Sequence, residues 1–315
     1  MIINLDQLSN NSRLLDIIEN RFTENLKIEK IPPDIWIERD GEEVHLGAKG
    51  EVTVFFGMPK SGKSIVLELI CGTLLCNEGC IGPIRKSDRL QDVIYLDLEQ
   101  SPSEWAVAMN RVMMYADINK IEDNFLSLCM TSESVSDRFR YLKELLPATS
   151  NVDVIIIDGV ADLIDSDSDS NSSKSSSEEL KALAVKHDCL IISILHTDKK
   201  GKGPRDHLGS KYEKIASTLV KVEKQEGTNM FSLQPYMSRH TGVWEQINFF
   251  ISSETKMVDF RSVQKSEEFK GANFVNRKKD AIFDSEEVEL VFGSNTDKAK
   301  NLHKLFEKQK ENDES

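Results

Sequence analysis

Apolar positions along this chain recur in two rhythms, and the switching between them outlines a fold. Short continuous apolar runs stand at 51–56, 92–97, 125–130, 152–158 and 190–195. Each is of strand length and rich in Val, Ile, Leu and Phe, which predicts strands buried on both faces. Segments of helical spacing lie between them, at 65–70, 101–115, 135–146 and 178–187. Ser101 is placed to cap the second of these, with Pro102 tolerated in its first turn. Three later runs, 217–223, 230–236 and 246–251, are separated by turn residues such as Glu226-Gly227-Thr228-Asn229 and predict strands joined by hairpins. Strand–helix alternation predicts an α/β fold, with a mostly parallel central sheet flanked by helices and antiparallel strands at one edge. Functional side chains are then expected at the carboxyl ends of the central strands.

The same pattern divides the chain. Residues 1–33 read as an N-terminal helical segment, with Leu14, Leu15, Ile17, Ile18, Phe22 and Leu26 near helical spacing, ended by Ile31-Pro32-Pro33. Residues 34–262 carry the strand–helix alternation, and within them 34–50 reads as polar and turn-rich. Residues 263–315 form a charged tail, with a possible strand at 286–292 and a helix at 295–308 capped from Asn295-Thr296-Asp297. The acidic serine run at 165–177 reads as a flexible spacer.

Chemistry enters between the first strand and the first helix. Gly57-Met58-Pro59-Lys60-Ser61-Gly62-Lys63-Ser64 fits G-x-x-x-x-G-K-[ST], the phosphate-binding loop. The glycines let successive backbone N–H groups converge on phosphate oxygens. Lys63 supplies a positive charge, Ser64 a hydroxyl for Mg²⁺, and the helix its positive end. ATP and Mg²⁺ are the expected cofactors.

Strand ends supply the rest. Asp158 closes Val154-Ile155-Ile156-Ile157 and is expected beside Ser64 at the metal. Asp153, at the start of that strand, is at the wrong end. Glu99 follows the second strand, where a carboxylate can activate the attacking water, with Asp97 as the competing candidate. His196 ends the fifth strand and is a candidate contact for the γ-phosphate, a structural histidine being the alternative. Beyond it, 198–211 carries Lys199, Lys200, Lys202, Arg205 and Lys211 against Asp198 and Asp206. Its glycines and proline predict an irregular mobile loop, suited to a phosphate backbone such as single-stranded DNA.

Bulk properties narrow the field. The chain has 315 residues, is 39% hydrophobic and carries a net charge of −13, which argues against a globally basic nucleic-acid binder. No apolar run reaches the length of a membrane span, and the first residues lack a secretory signal. The five cysteines fall at irregular spacing, so reduced thiols in the cytoplasm are expected rather than disulfides. No zinc, primase or nuclease constellation is legible.

Phosphate loop, strand-end glutamate, aspartate and histidine, in this order, resemble the RecA-like ATPases. The resemblance covers about 30–260 and is nearest the RepA/DnaB-type branch, the compact modules of hexameric replicative helicases, as found on bacterial plasmids and mobile elements. Tyr95-Leu96-Asp97-Leu98-Glu99-Gln100-Ser101 is similar to that group, as is Arg205-Asp206-His207-Leu208-Gly209, where Asp206 replaces a usual glycine. The resemblance implies Glu99 as catalytic base, Asp158 as Mg²⁺ partner, His196 as γ-phosphate sensor and 198–211 as a pore loop. It implies a homo-oligomeric ring, expected to be hexameric. It also implies a finger reaching the neighbouring subunit's site from Met237-Ser238-Arg239. Arg239 is the candidate and Arg205 the alternative, while Met237 stands where relatives have lysine. A nucleotide-switched regulatory or partner-loading ATPase is the rival expectation, and a filament-forming recombinase a third.

Overall fold

The computed structural model describes residues 32–39, 41–149, 151–163, 170–197, 203–204, 206–240 and 244–260, and only the backbone of 170–175, 206 and 207. The chain divides into two compact units, Met1–Pro32 and Pro33–Ser315. The expected N-terminal helix, the 165–169 run, Lys199, Lys200, Lys202, Arg205 and the expected elements of the 263–315 tail lie outside the described residues.

Eighteen elements matter here. They run β1 (Ile35–Arg39), β2 (Glu42–Gly47), β3 (Val52–Gly57), α1 (Lys63–Leu75), β4 (Cys80–Ile81), β5 (Ile84–Lys86), β6 (Val93–Asp97), α2 (Pro102–Ala116) and β7 (Phe125–Cys129). There follow α3 (Val135–Ala148), β8 (Val154–Asp158), α4 (Ser170–Lys186), β9 (Leu190–His196), α5 (Asp206–Ile215), β10 (Thr218–Lys224), β11 (Met230–Ser238), β12 (Ile247–Ile251) and β13 (Val258–Asp259).

Nine of the strands form one sheet in the order β13-β12-β11-β10-β3-β9-β8-β6-β7. From β10 to β7 all neighbours are parallel, and β10 to β13 form an antiparallel meander at the other edge. The expected architecture holds. Its cause is visible in β3, where Val54 and Phe56 enter one core and Phe55 the other. β8 divides likewise, with Ile155 and Ile157 on one side and Val154 and Ile156 on the other. Each of these side chains is fully buried, worth roughly 1.5–3 kcal/mol relative to exposure. The α1 helix is apolar nearly all round and sits inside one core, which fixes the phosphate loop ahead of it. The expected cap of α2 is present as a full capping box between Ser101 and Glu104.

Three expectations fail. Residues 34–50 are not merely turns. They form β1 and β2, which join β5 and β4 in a second, four-stranded antiparallel sheet, order β2-β1-β5-β4. Asp34, fully buried, ties this sheet together: its carboxylate accepts from Lys49 N at 2.9 Å and Ser87 Oγ at 2.8 Å and pairs with Arg89 at 2.7 Å. The serine run is not all spacer, because α4 begins at Ser170. Ser176 and Ser177 are buried, and small side chains without Gly or Pro leave nothing to break a helix that continues into 178–186. Finally, 206–211 is helical. Leu208 and Tyr212, one turn apart and buried, anchor α5 to the core, and Pro204 precedes the helix instead of interrupting it. Lys211 therefore sits on a helix. No described helix is long and apolar enough to cross a membrane.

Candidate functional site

Register brings the strand-end residues together. In the parallel ladders Gly57 pairs with His196 and Asp97 with Asp158, so β3, β9, β8 and β6 end side by side. The loop from Gly57 to Ser64 rises from that edge and turns into α1. Gly62 caps the helix in the left-handed region with φ 86°, and no side chain covers the first N–H groups of α1. A Cβ at Gly57 would meet Val222 O at 2.2 Å and Ser61 Oγ at 2.6 Å. Met58, beside Thr197, receives its hydroxyl on sulfur at 2.8 Å, and Pro59 and Lys60 complete the crest of the loop.

Lys63 is almost fully buried, and its Nζ donates to Gly57 O at 3.1 Å and Met58 O at 2.9 Å. Burial lowers its pKa, against the pull of the Glu99 and Asp158 charges. Ser64 Oγ donates to Asp158 Oδ1 at 3.3 Å. The other Asp158 oxygen accepts from Tyr95 OH at 3.3 Å and Gln100 Nε2 at 3.2 Å. Burial first, then the charges of Asp97 and Glu99, push the Asp158 carboxyl up to about 7. A carboxylate so crowded by negative charge is suited to a cation.

Asp97 and Glu99 differ in kind. Asp97 is fully buried, and its Oδ1 accepts from the N–H groups of Glu99 and Gln100 at 3.1 and 2.8 Å. It braces the turn that aims Glu99. Glu99 is about one-third exposed and meets His196 Nε2 through Oε1 at 3.1 Å. That hydrogen bond holds its carboxyl below the usual glutamate range, with burial opposing. On the other side of the ring, His196 Nδ1 lies 3.4 Å from Lys63 Nζ. A neutral ring protonated on Nε2 satisfies both neighbours, donating to the carboxylate and accepting from the ammonium.

Lys63, Ser64, Glu99, Gln100 and His196 line a cleft of about 450 Å³ that runs from Glu99 past the loop to the meander. Its far end offers an apolar wall of Phe231 and Ile251 with polar groups from Lys224, Asn229 and Lys256. A nucleotide fits this shape: a loop and helix start that no side chain caps, with a lysine, at one end, and an apolar wall at the other. The hydroxyl and carboxylate of Ser64 and Asp158 suit Mg²⁺, a hard cation that takes oxygen ligands. Ser61 Oγ and Asp97 Oδ2 are buried with no hydrogen-bond partner among the described residues, leaving polar capacity beside the cradle.

Other predicted residues lie elsewhere. Arg239 follows β11, whose end pairs with the start of β10, so it sits at the amino end of the parallel strands, opposite the phosphate loop. Its guanidinium donates to Lys214 O. Lys211 is on α5, away from the cleft lining.

Sequence reasoning missed five contributors. Gln100 and Tyr95 hold Asp158. Gly159 has φ 91°, and a Cβ there would meet Glu99 Cγ at 2.6 Å, so the Glu99 side chain passes over it. Glu68 and Arg111 form a bidentate pair at 2.5 and 2.7 Å in the cleft wall, joining α1 to α2. A glycine following the strand-end aspartate was the one signal available; the others emerge only from packing.

No curated protein matches the chain. The model of a family described as "AAA domain" matches residues 30–202, more than half of the 315 residues, and takes in the phosphate loop, Glu99, Asp158 and His196. Fold, loop and family agree, and the chain belongs to this AAA-domain family of phosphate-loop ATPases.

Proposed function

We propose that this chain is an ATP hydrolase of the RepA/DnaB type that acts as a homo-oligomeric ring, with six subunits the expected number, and couples turnover to single-stranded DNA. The observation that carries the reading is the His196 ring, which touches Glu99 on one side and Lys63 on the other and leads directly into the basic segment at 198–205. One side chain thereby links the proposed base, the phosphate lysine and the proposed DNA loop.

In this reading Gly57–Ser64 wraps the phosphates, and Lys63 exchanges its carbonyl partners for phosphate oxygens. Ser64 and Asp158 hold Mg²⁺, which when bound neutralises charge on the phosphate oxygens. Glu99 orients a water and takes its proton, His196 keeping the carboxylate ionised and aimed. Buried Asp97 positions rather than reacts. Arg239 lies too far round the sheet to serve its own cleft, which supports a role in a neighbour's site, where a guanidinium stabilises charge on the transferring phosphoryl. Lys199, Lys200, Lys202, Arg205 and Lys211 are the proposed DNA contacts, Lys211 from α5. The free cysteines accord with the reducing cytoplasm as its compartment.

The test is ATPase rate against added single-stranded DNA. Stimulation is expected in the parent chain and its loss when Lys199, Lys200 and Lys202 are all changed to Ala. Unchanged stimulation in that variant would reject the loop assignment. A second reading, a nucleotide-switched assembly protein, is favoured by the net charge of −13, by Asp206 and by Met237. A rate indifferent to DNA, together with ATP-dependent assembly seen by mass photometry, would select it.

A further inference from the structure

Away from the nucleotide cleft, three side chains from distant parts of the sequence converge. His45 stands on β2 of the small sheet, Glu51 just before β3 of the large one, and His240 just after β11. His45 Nε2 lies 2.8 Å from Glu51 Oε2, and His240 Nε2 lies 2.5 Å from Glu51 Oε1. The two imidazoles stack with centroids 4.0 Å apart and planes inclined at 27°, so both rings point the same nitrogen at one carboxylate. All the donor atoms fall within 4.8 Å of one another. We propose that His45, Glu51 and His240 form a binding site for a divalent transition-metal ion of the zinc class.

The donor set selects the ion. Two imidazole nitrogens and one carboxylate, with a side left open, is the composition of three-ligand zinc sites that keep water in the fourth position. Magnesium and calcium ask for several oxygens and little nitrogen, and one carboxylate does not meet that need. Positive charge stands nearby. Lys181 donates to Gly50 O at 2.9 Å and feels the charges of both Glu51 and Arg239. That charge opposes any cation, so binding must come from the two imidazole nitrogens and the carboxylate, a donor set that suits zinc better than magnesium or calcium.

The surroundings are partly built. The side chains of His45, Glu51 and His240 are 4%, 12% and 32% exposed, so the site is walled on the His45 side and open at His240. Ala48 N donates to Glu51 Oε2 at 3.1 Å and fixes the carboxylate from behind. Ligand atoms around tetrahedral zinc stand about 3.3 Å apart. Both imidazoles stand closer than that to the carboxylate, at 2.8 and 2.5 Å, so binding requires the three groups to open by less than about 1 Å, with most room at the His240 ring, the most exposed of the three. Bound metal would tie the small sheet to the large one and fix the backbone beside Arg239.

The experiment uses the untagged full chain, stripped with chelator and titrated with Zn²⁺ by calorimetry and with Co²⁺ by visible absorption. One ion per chain is expected, with a four-coordinate Co²⁺ spectrum lacking thiolate charge-transfer bands. That last feature separates this site from the cysteines. His240→Ala and His240→Phe should each bind at least about 100-fold more weakly, since removing a ligand costs no less than disturbing its support. The phenylalanine variant keeps the ring stack, so its loss reports ligation and not packing. Zn²⁺ should raise the melting temperature of the parent chain and of neither variant. Absence of binding overturns the proposal, as does parent-like binding in both variants.

Discussion

Glu99 and Asp97 stand two residues apart and are separated by exposure and by partners. Asp97 is committed to backbone N–H groups, while Glu99 reaches into the cleft and is tethered by His196. Glu99→Gln should therefore retain ATP binding and lose about 10²–10⁴-fold in kcat, the scale of a removed general base. Equilibrium binding of a fluorescent nucleotide and a steady-state rate on the same preparation check both halves. Full turnover in that variant would transfer the role to Asp97. Gly159→Ala forces an alanine into φ 91° with its Cβ against Glu99. It should cost about 1–3 kcal/mol in denaturant melts and depress turnover as well.

Asp153, at the opposite end of β8, is structural. Its carboxylate meets Lys49 Nζ at 2.6 Å and the N–H groups of Gln91 and Asp92 at 2.8 and 3.0 Å. Burial pushes its pKa up, but those partners outweigh burial and the net shift is downward from the ordinary value of 3.8. A lowered carboxyl stabilises the fold in full above that ordinary value and less as pH falls through the folded one. Asp153→Asn should lose about 1–3 kcal/mol at neutral pH, and the gap from the parent should close in strongly acidic buffer. Chemical denaturation across pH measures it.

At the scale of elements, α1 and α2 are clamped by Glu68 and Arg111, whose carboxylate is fully buried. Burial raises the Glu68 carboxyl, and Arg111 works against that rise. Glu68→Ala strands a guanidinium in the cleft wall and should destabilise by about 3–5 kcal/mol, while a double change to Leu and Met should recover most of the loss. The same scale explains what was legible in the sequence. β3, β6, β8 and β9 are short, predominantly apolar runs of strand length, rich in Val, Ile and Phe, a pattern that favours buried strands. β1, β2, β4 and β5 are two to six residues long, and β1 pairs with β5 across some fifty positions, as in Ile35 with Lys86. Nothing local marks such a pairing. Helix α5 was hidden because Leu208 and Tyr212 give only one turn of apolar spacing next to glycine and proline. At the site, the contiguous loop and the strand-end acids announced themselves, whereas Gln100 and Arg111 acquire their places through contacts that no spacing encodes.

The whole molecule places Arg239 and the phosphate loop at opposite ends of one sheet. If the finger serves a neighbour, Arg239→Ala should reduce kcat by about 10³-fold or more without loss of nucleotide binding. Lys63→Ala should abolish binding. Mixing the two inactive proteins should restore part of the activity, because some interfaces then pair an intact loop with an intact arginine. Failure of the mixture to recover any activity would remove Arg239 from the mechanism.

The backbone bridge between Thr197 and Pro204 pinches the basic segment at its base. Both ends of the intervening stretch are thus tied to each other, and lengthening a chain between two tied ends costs only about 0.6 kcal/mol per doubling. Grafts of different length or charge between these anchors should therefore leave the melting temperature almost unmoved while changing whatever contacts the segment makes.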